Sequence, residues 1–143
     1  MSTSHSLKMS LLVAGLMALS SSYGADKMSR DDYKAAKDKI EADFKAGKDA
    51  CKDQKDNAKD VCLKEAKAKE KVAIAELDYK NSGKDSDRIK AEEVKAKQDY
   101  AVAKERCDDK SGADKSACKA EAKAVEKKAM ANIKAEKKTA SNG

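Results

Sequence analysis

Proline and tryptophan are absent from this chain of 143 residues, phenylalanine occurs once and tyrosine four times. Without proline no helix is broken from within. With aromatics at only 3% there is little of the bulky apolar surface from which an ordinary globular enzyme builds its core. Histidine is nearly missing too, His5 being the single copy. No apolar run approaches the ~20 residues that a membrane-spanning helix needs. What fills the chain instead is charge, at 41%, with 32 basic and 26 acidic side chains. Rich in Ala, Glu and Lys, it has the composition of long helices and coiled coils.

Residues 1–8 hold one Lys and no acid, residues 9–19 form an apolar run containing Leu11, Leu12, Val13, Leu16 and Leu19, and residues 20–25 are mostly small. A basic start, an apolar stretch of about ten residues and a small-residue exit are the three parts of a secretory signal peptide. A buried N-terminal helix is the bland alternative, but no later segment is apolar enough to cover it. Cleavage is expected after Gly24 or Ala25, giving a soluble, periplasmic protein with no membrane span. No Cys stands at the exit for lipid attachment. Removal of residues 1–25 leaves 31 basic and 26 acidic groups, a net charge of +5. It also removes His5, and with it imidazole metal ligands, histidine bases and every Ser-His-Asp or Cys-His arrangement.

Residues 43–75 superpose on residues 99–131 at a constant offset of 56, without a gap. Cys51 falls on Cys107 and Cys62 on Cys118, and Glu65-Ala66-Lys67-Ala68 on Glu121-Ala122-Lys123-Ala124. Such self-similarity marks a duplicated supersecondary unit. Within each unit the apolar spacing is helical: Tyr33, Ile40, Phe44 and Cys51 in the first arm, Ile89, Ala96, Tyr100 and Cys107 in the third. Val61, Ala68, Val72, Ala75 and Tyr79 form the seam of the second arm, and Cys118, Ala122, Val125, Ala129 and Ile133 that of the fourth.

The sequence thus predicts an all-α fold of two duplicated antiparallel helical hairpins. Its four long helices would form an up-down-up-down bundle or an extended helical array. The expected divisions are hairpin 26–80, linker 81–85, hairpin 86–137 and a disordered tail 138–143. Ser29, Asn57 and Ser111, each three residues before an acid, are the expected N-caps. Gly83 and Gly112 are the expected left-handed helix ends. Residues 52–56 make a polar break. Beyond residue 25 only seventeen apolar side chains exceed Ala in size, so the core is thin and needs help.

Four cysteines in an exported chain supply that help as disulfides. If residues 52–57 turn, Cys51 meets Cys62 and Cys107 meets Cys118, clasping each hairpin at its bend. If the helices instead run straight through, Cys51 would meet Cys118 and Cys62 would meet Cys107. The polar break and the caps favour the first pairing. A zinc site is disfavoured because structural zinc draws on cysteines with two to four residues between them, and here ten intervene. Catalytic thiols are disfavoured for want of a Cys-x-x-Cys pair or an activating His.

Lysines and acids interleave along every arm, the ordinary pattern of solvated helices. Basic runs and clustered arginines are missing, which argues against specific nucleic-acid binding. Adjacent carboxylates such as Asp108-Asp109 point about 100° apart on a helix and lack a desolvated cleft. No enzyme activity, cofactor or metal is expected.

The run Asp32-Tyr33-Lys34-Ala35-Ala36-Lys37 to Cys51, followed by Asn57-Ala58-Lys59-Asp60-Val61-Cys62, resembles a group of small exported proteins of β-proteobacteria labelled TolA-like or cell-envelope biogenesis proteins. The resemblance covers nearly all of residues 1–137, and the twin cysteine pairs are its most specific element. It implies a periplasmic helical protein of no established activity, and TolA's own mechanism is not carried over. The functional expectation is a non-enzymatic structural, stress-related or interaction module of the envelope, with protein partners and a possible homo-oligomer. The alternative is a holdase chaperone whose apolar grooves between arms hold unfolded clients.

Overall fold

A computed structural model describes residues 27–140. The signal-like segment and the last three residues of the expected tail lie outside it. Among the described residues there are four α-helices and no strand: α1 Arg30–Ala50, α2 Asp56–Ser82, α3 Asp85–Arg106 and α4 Gly112–Ala140. A single 3-10 turn, Cys107–Asp109, follows α3. The expected linker shrinks to Gly83 and Lys84, and α4 runs three residues into the stretch expected to be a tail.

Local chemistry explains most boundaries. The Oγ of Ser29 accepts the Asp32 backbone N–H at 3.0 Å, and Asp31 and Asp32 lie in the first turn of α1, where acids oppose the helix dipole favourably. Gly83 ends α2 at φ 64°, the left-handed conformation that glycine takes without strain. Ser111 stands just before α4, and its carbonyl accepts the Lys115 N–H at 3.2 Å.

Two expected signals act differently. Asn57 is not the cap of α2, which Lys55 precedes without a side-chain bond. Its amide nitrogen donates instead to the Glu105 carbonyl at 3.2 Å, satisfying a carbonyl in the last turn of α3. Gly112 opens α4 rather than ending α3, at φ 53°. Its counterpart at the offset of 56, Asp56, opens α2 at φ 49°.

Packing runs chiefly between sequential neighbours: α1 on α2, α2 on α3, α3 on α4. The cross-helix bonds show each pair to be antiparallel. Tyr33 near the start of α1 reaches Asp78 near the end of α2, Arg106 reaches Glu65, and Arg88 reaches Glu136. The most extensive packing is α2 on α3, across the expected linker. Of the two expected arrangements the chain therefore adopts the extended array.

Its core is as thin as the composition demands. Among the described residues only Leu77, Ile89 and Ile133 are large buried side chains; Ala66, Ala75, Ala91, Ala96 and Ala122 and the half-cystines Cys51 and Cys107 complete the buried set there. Ile89, Ala96 and Ile133 cluster between α3 and α4, with Ala129 and Met130 against them. No residue of α1 is buried. Val125, expected on the α4 seam, is 64% exposed, because the open array places no further helix over it.

Candidate functional site

Both disulfides have the hairpin-clasping connectivity. Cys51 is bonded to Cys62 and Cys107 to Cys118, each with Cα atoms 5.7 Å apart, so the crossed pairing does not occur. Cys51 ends α1 and Cys107 ends α3, and both are essentially sealed from solvent. Closing a loop of this length is worth roughly 3 kcal/mol in the chain-entropy picture.

Beside each disulfide the hairpin leaves a groove. One, of about 390 Å³, lies between α1 and α2, with Phe44, Gly47 and Ala66 in its floor. The other, of about 420 Å³, lies between α3 and α4, with Tyr100, Ala103 and Ala122 at the corresponding places. Every residue lining the first falls, at the offset of 56, on a residue lining the second. The duplication has therefore copied a concavity as well as a fold. Small side chains create it: a Cβ on Gly47 would lie 3.3 Å from the Cβ of Ala66, so the helices meet closely there and leave space above.

Carboxylates rim both grooves at matching places, as Asp43, Glu65 and Glu70 in one and Asp99, Glu121 and Glu126 in the other. All three acids are identical between the copies, whereas the single cation of each rim is not, being Lys69 in the first and Arg106 in the second. Each rim carries three acids against one base, within a chain of net charge +6.

Internal pairs hold some of these acids. Lys39 bonds Asp43 at 3.0 Å and its counterpart Lys95 bonds Asp99 at 2.6 Å; Arg106 holds Glu65, and Lys123 holds Glu126 at 2.6 Å. Glu70 and Glu121 form no ion pair among the described residues, leaving one unpaired carboxylate to each groove. The aromatic rings already attract cations: the Lys48 ammonium stands 5.4 Å from the Phe44 centroid and that of Lys123 4.7 Å from Tyr100. The Glu126 carboxylate, and the Tyr100 oxygen secondarily, hold the Lys123 ammonium above its ordinary pKa.

A third groove, of about 610 Å³, lies between α2 and α3. It shares Glu65, Lys69 and Ala73 with the first and Asp99, Ala103 and Arg106 with the second, so the three lie side by side across the array. Three acids and three bases line it, leaving it electrically balanced.

At the bend of the second hairpin, Asp108 accepts from Lys115 at 2.8 Å and Lys119 at 2.7 Å. Those two ammonium groups pull its carboxyl down to about 2. No group of three or more Cys, His, Asp or Glu side chains is placed to hold a metal ion among the described residues, and no helix there is long and apolar enough to cross a membrane.

Sequence reasoning located the four cysteines and allowed for apolar grooves between arms, but did not name the residues that line them. The signal was available, because the offset that pairs the cysteines also pairs all three rim acids. No protein-family model, curated protein or solved structure matches this chain.

Proposed function

We propose that this protein is a non-enzymatic interaction module of the bacterial cell envelope, exported to the periplasm by residues 1–25. The observation that carries this reading is the row of three adjoining grooves across an open helical array, held in shape by two disulfides that an oxidising compartment would preserve. A protein that spends its few large apolar side chains on bracing neighbouring helices, and leaves concave strips between them, is suited to receiving other chains. The TolA-like resemblance of the cysteine-bearing runs is in keeping with an envelope role.

The test has two arms. N-terminal sequencing of the protein from a periplasmic fraction should find a chain starting after Gly24 or Ala25; recovery of an uncleaved chain in the cytosol would refute export. Pull-down from periplasm with the disulfides intact should retain protein partners, and an empty pull-down would count against the module.

A second reading, a holdase chaperone, is favoured by the continuity of the grooves, which offers an extended client more than one foothold. It requires suppression of client aggregation at stoichiometric amounts of protein.

A further inference from the structure

We infer that the outward face of α4 is a contact surface for an anionic phospholipid bilayer, which the helix meets side-on through its lysines. The site is separate from the grooves. It rests on the export reading only in that export brings a membrane within reach, since the contact itself needs no partner protein.

Charge is spread unevenly over the array. α1, α2 and α3 each hold six basic and six acidic side chains and are neutral, whereas α4 holds eight basic and four acidic and so carries +4 of the chain's +6. The excess lies in its second half. From Lys127 to Ala140 the one acid is Glu136, which Arg88 of α3 engages at 3.3 Å, and the acid just before, Glu126, is held by Lys123 at 2.6 Å. Lys127, Lys128 and Lys134 are exposed and form no ion pair among the described residues. At about 100° per residue these three span about a third of the helix circumference, with the exposed Ala124, Ala131 and Ala135 between them.

Solubility does not demand this pattern. At the other edge of the array α1, which packs chiefly on α2 and buries no residue, is at least as open to water and mixes both signs evenly. Nor does the repeat impose it. At the offset of 56, Lys128 and Lys134 stand where α2 has Val72 and Asp78, and Val72 lines the groove against α3. Where α2 has a face for packing, α4 has a cationic one.

The chemistry of the face selects its occupant. All eight cations of α4 are lysines, compact point charges without the planar fork that grips a phosphate through paired bonds. The helix has neither arginine nor aromatic ring with which to hold a nucleic acid, and between these lysines only alanine is on offer to anchor a protein. A layer of phosphate headgroups asks less, namely several cations facing one way, each adding a similar increment near an anionic leaflet. With alanines between the lysines nothing enters the acyl layer, so the contact is reversible and weakens with salt.

The experiment is flotation of the purified, oxidised chain with vesicles, after removal of residues 1–25 so that their apolar run cannot itself bind lipid; all the packing described above lies within residues 27–140. Binding to vesicles of equal parts phosphatidylglycerol and phosphatidylcholine is expected, with none to phosphatidylcholine alone and a steady loss as salt rises. The triple variant Lys127→Gln, Lys128→Gln, Lys134→Gln should weaken it about a hundredfold. The variant Lys34→Gln, Lys37→Gln, Lys45→Gln removes the same charge from exposed positions of α1 and should weaken it less than about threefold, because those lysines face away from the contact. Circular dichroism confirms that both variants keep their helicity. Equal losses from the two variants would reduce the effect to net charge and overturn the assignment. So would failure to bind the anionic vesicles, equal binding to phosphatidylcholine alone, or tighter binding of a DNA duplex or of polyglutamate than of the vesicles. Each of these leaves the module reading standing, since the pull-down tests that reading separately.

Discussion

Asp56 and Gly112 occupy the same position in the two copies, and both open a helix with a positive φ, 49° and 53°. The bend needs a left-handed residue there, which glycine supplies freely and aspartate tolerates. A Cβ built on Gly112 meets nothing within 4 Å, so any substitution cost comes from the backbone alone. Gly112→Ala should lower unfolding stability by about 1 kcal/mol in urea melts, and Gly112→Asp by less, since the first copy already uses aspartate. Asp108 answers to pH. Its folded-state carboxyl, held near 2 by Lys115 and Lys119, lies below the ordinary value of about 4. Its contribution is therefore complete above about pH 4 and lost as pH falls toward 2. Urea midpoints of the parent and of Asp108→Asn should differ at pH 7 and converge at pH 2; a constant gap would show that the two lysines do not act through this charge.

Among the elements, α1 is the one with no buried residue. It packs on the rest chiefly through α2, held at one end by the Cys51–Cys62 bond and at the other by the Tyr33 hydroxyl donating to Asp78 at 2.6 Å. Replacing both cysteines of the first hairpin by serine should therefore release α1 while α3 and α4 keep the Ile89, Ala96 and Ile133 cluster. Hydrogen exchange should show amides of residues 30–50 losing protection first, with those around Ile89 nearly unchanged. Uniform loss over all four helices would mean that α1 is braced by more than its staple. The elements themselves were legible from apolar spacing, the Ser29 cap and Gly83. Asn57 was misread because its amide is taken by a carbonyl of α3, a tertiary demand that no local window displays. Val125 was misread because helical spacing tells which face a residue shares, not whether a neighbour covers that face.

At the scale of the whole molecule, the repeat foretold two equivalent stapled units but left bundle and array equally open. The choice turns on which helices meet, and alanine seams permit either. The groove rims were written in the same repeat, yet they could be recognised only once the packing showed both copies concave at the same place. A molecule whose helices pack chiefly on sequential neighbours has its stability spread thinly over few interfaces. With three large buried side chains among the described residues, the two disulfides together supply roughly 6 kcal/mol, comparable with the whole stability of a small domain. Reduction should accordingly abolish most of the helical circular dichroism at 37 °C. In milder reductant the α2 and α3 pair, which packs most extensively, should be the last to open. Helicity and melting temperature unchanged by full reduction would place the stability in the alanine seams, and the disulfides would then serve to fix the two grooves in shape rather than to keep the chain folded.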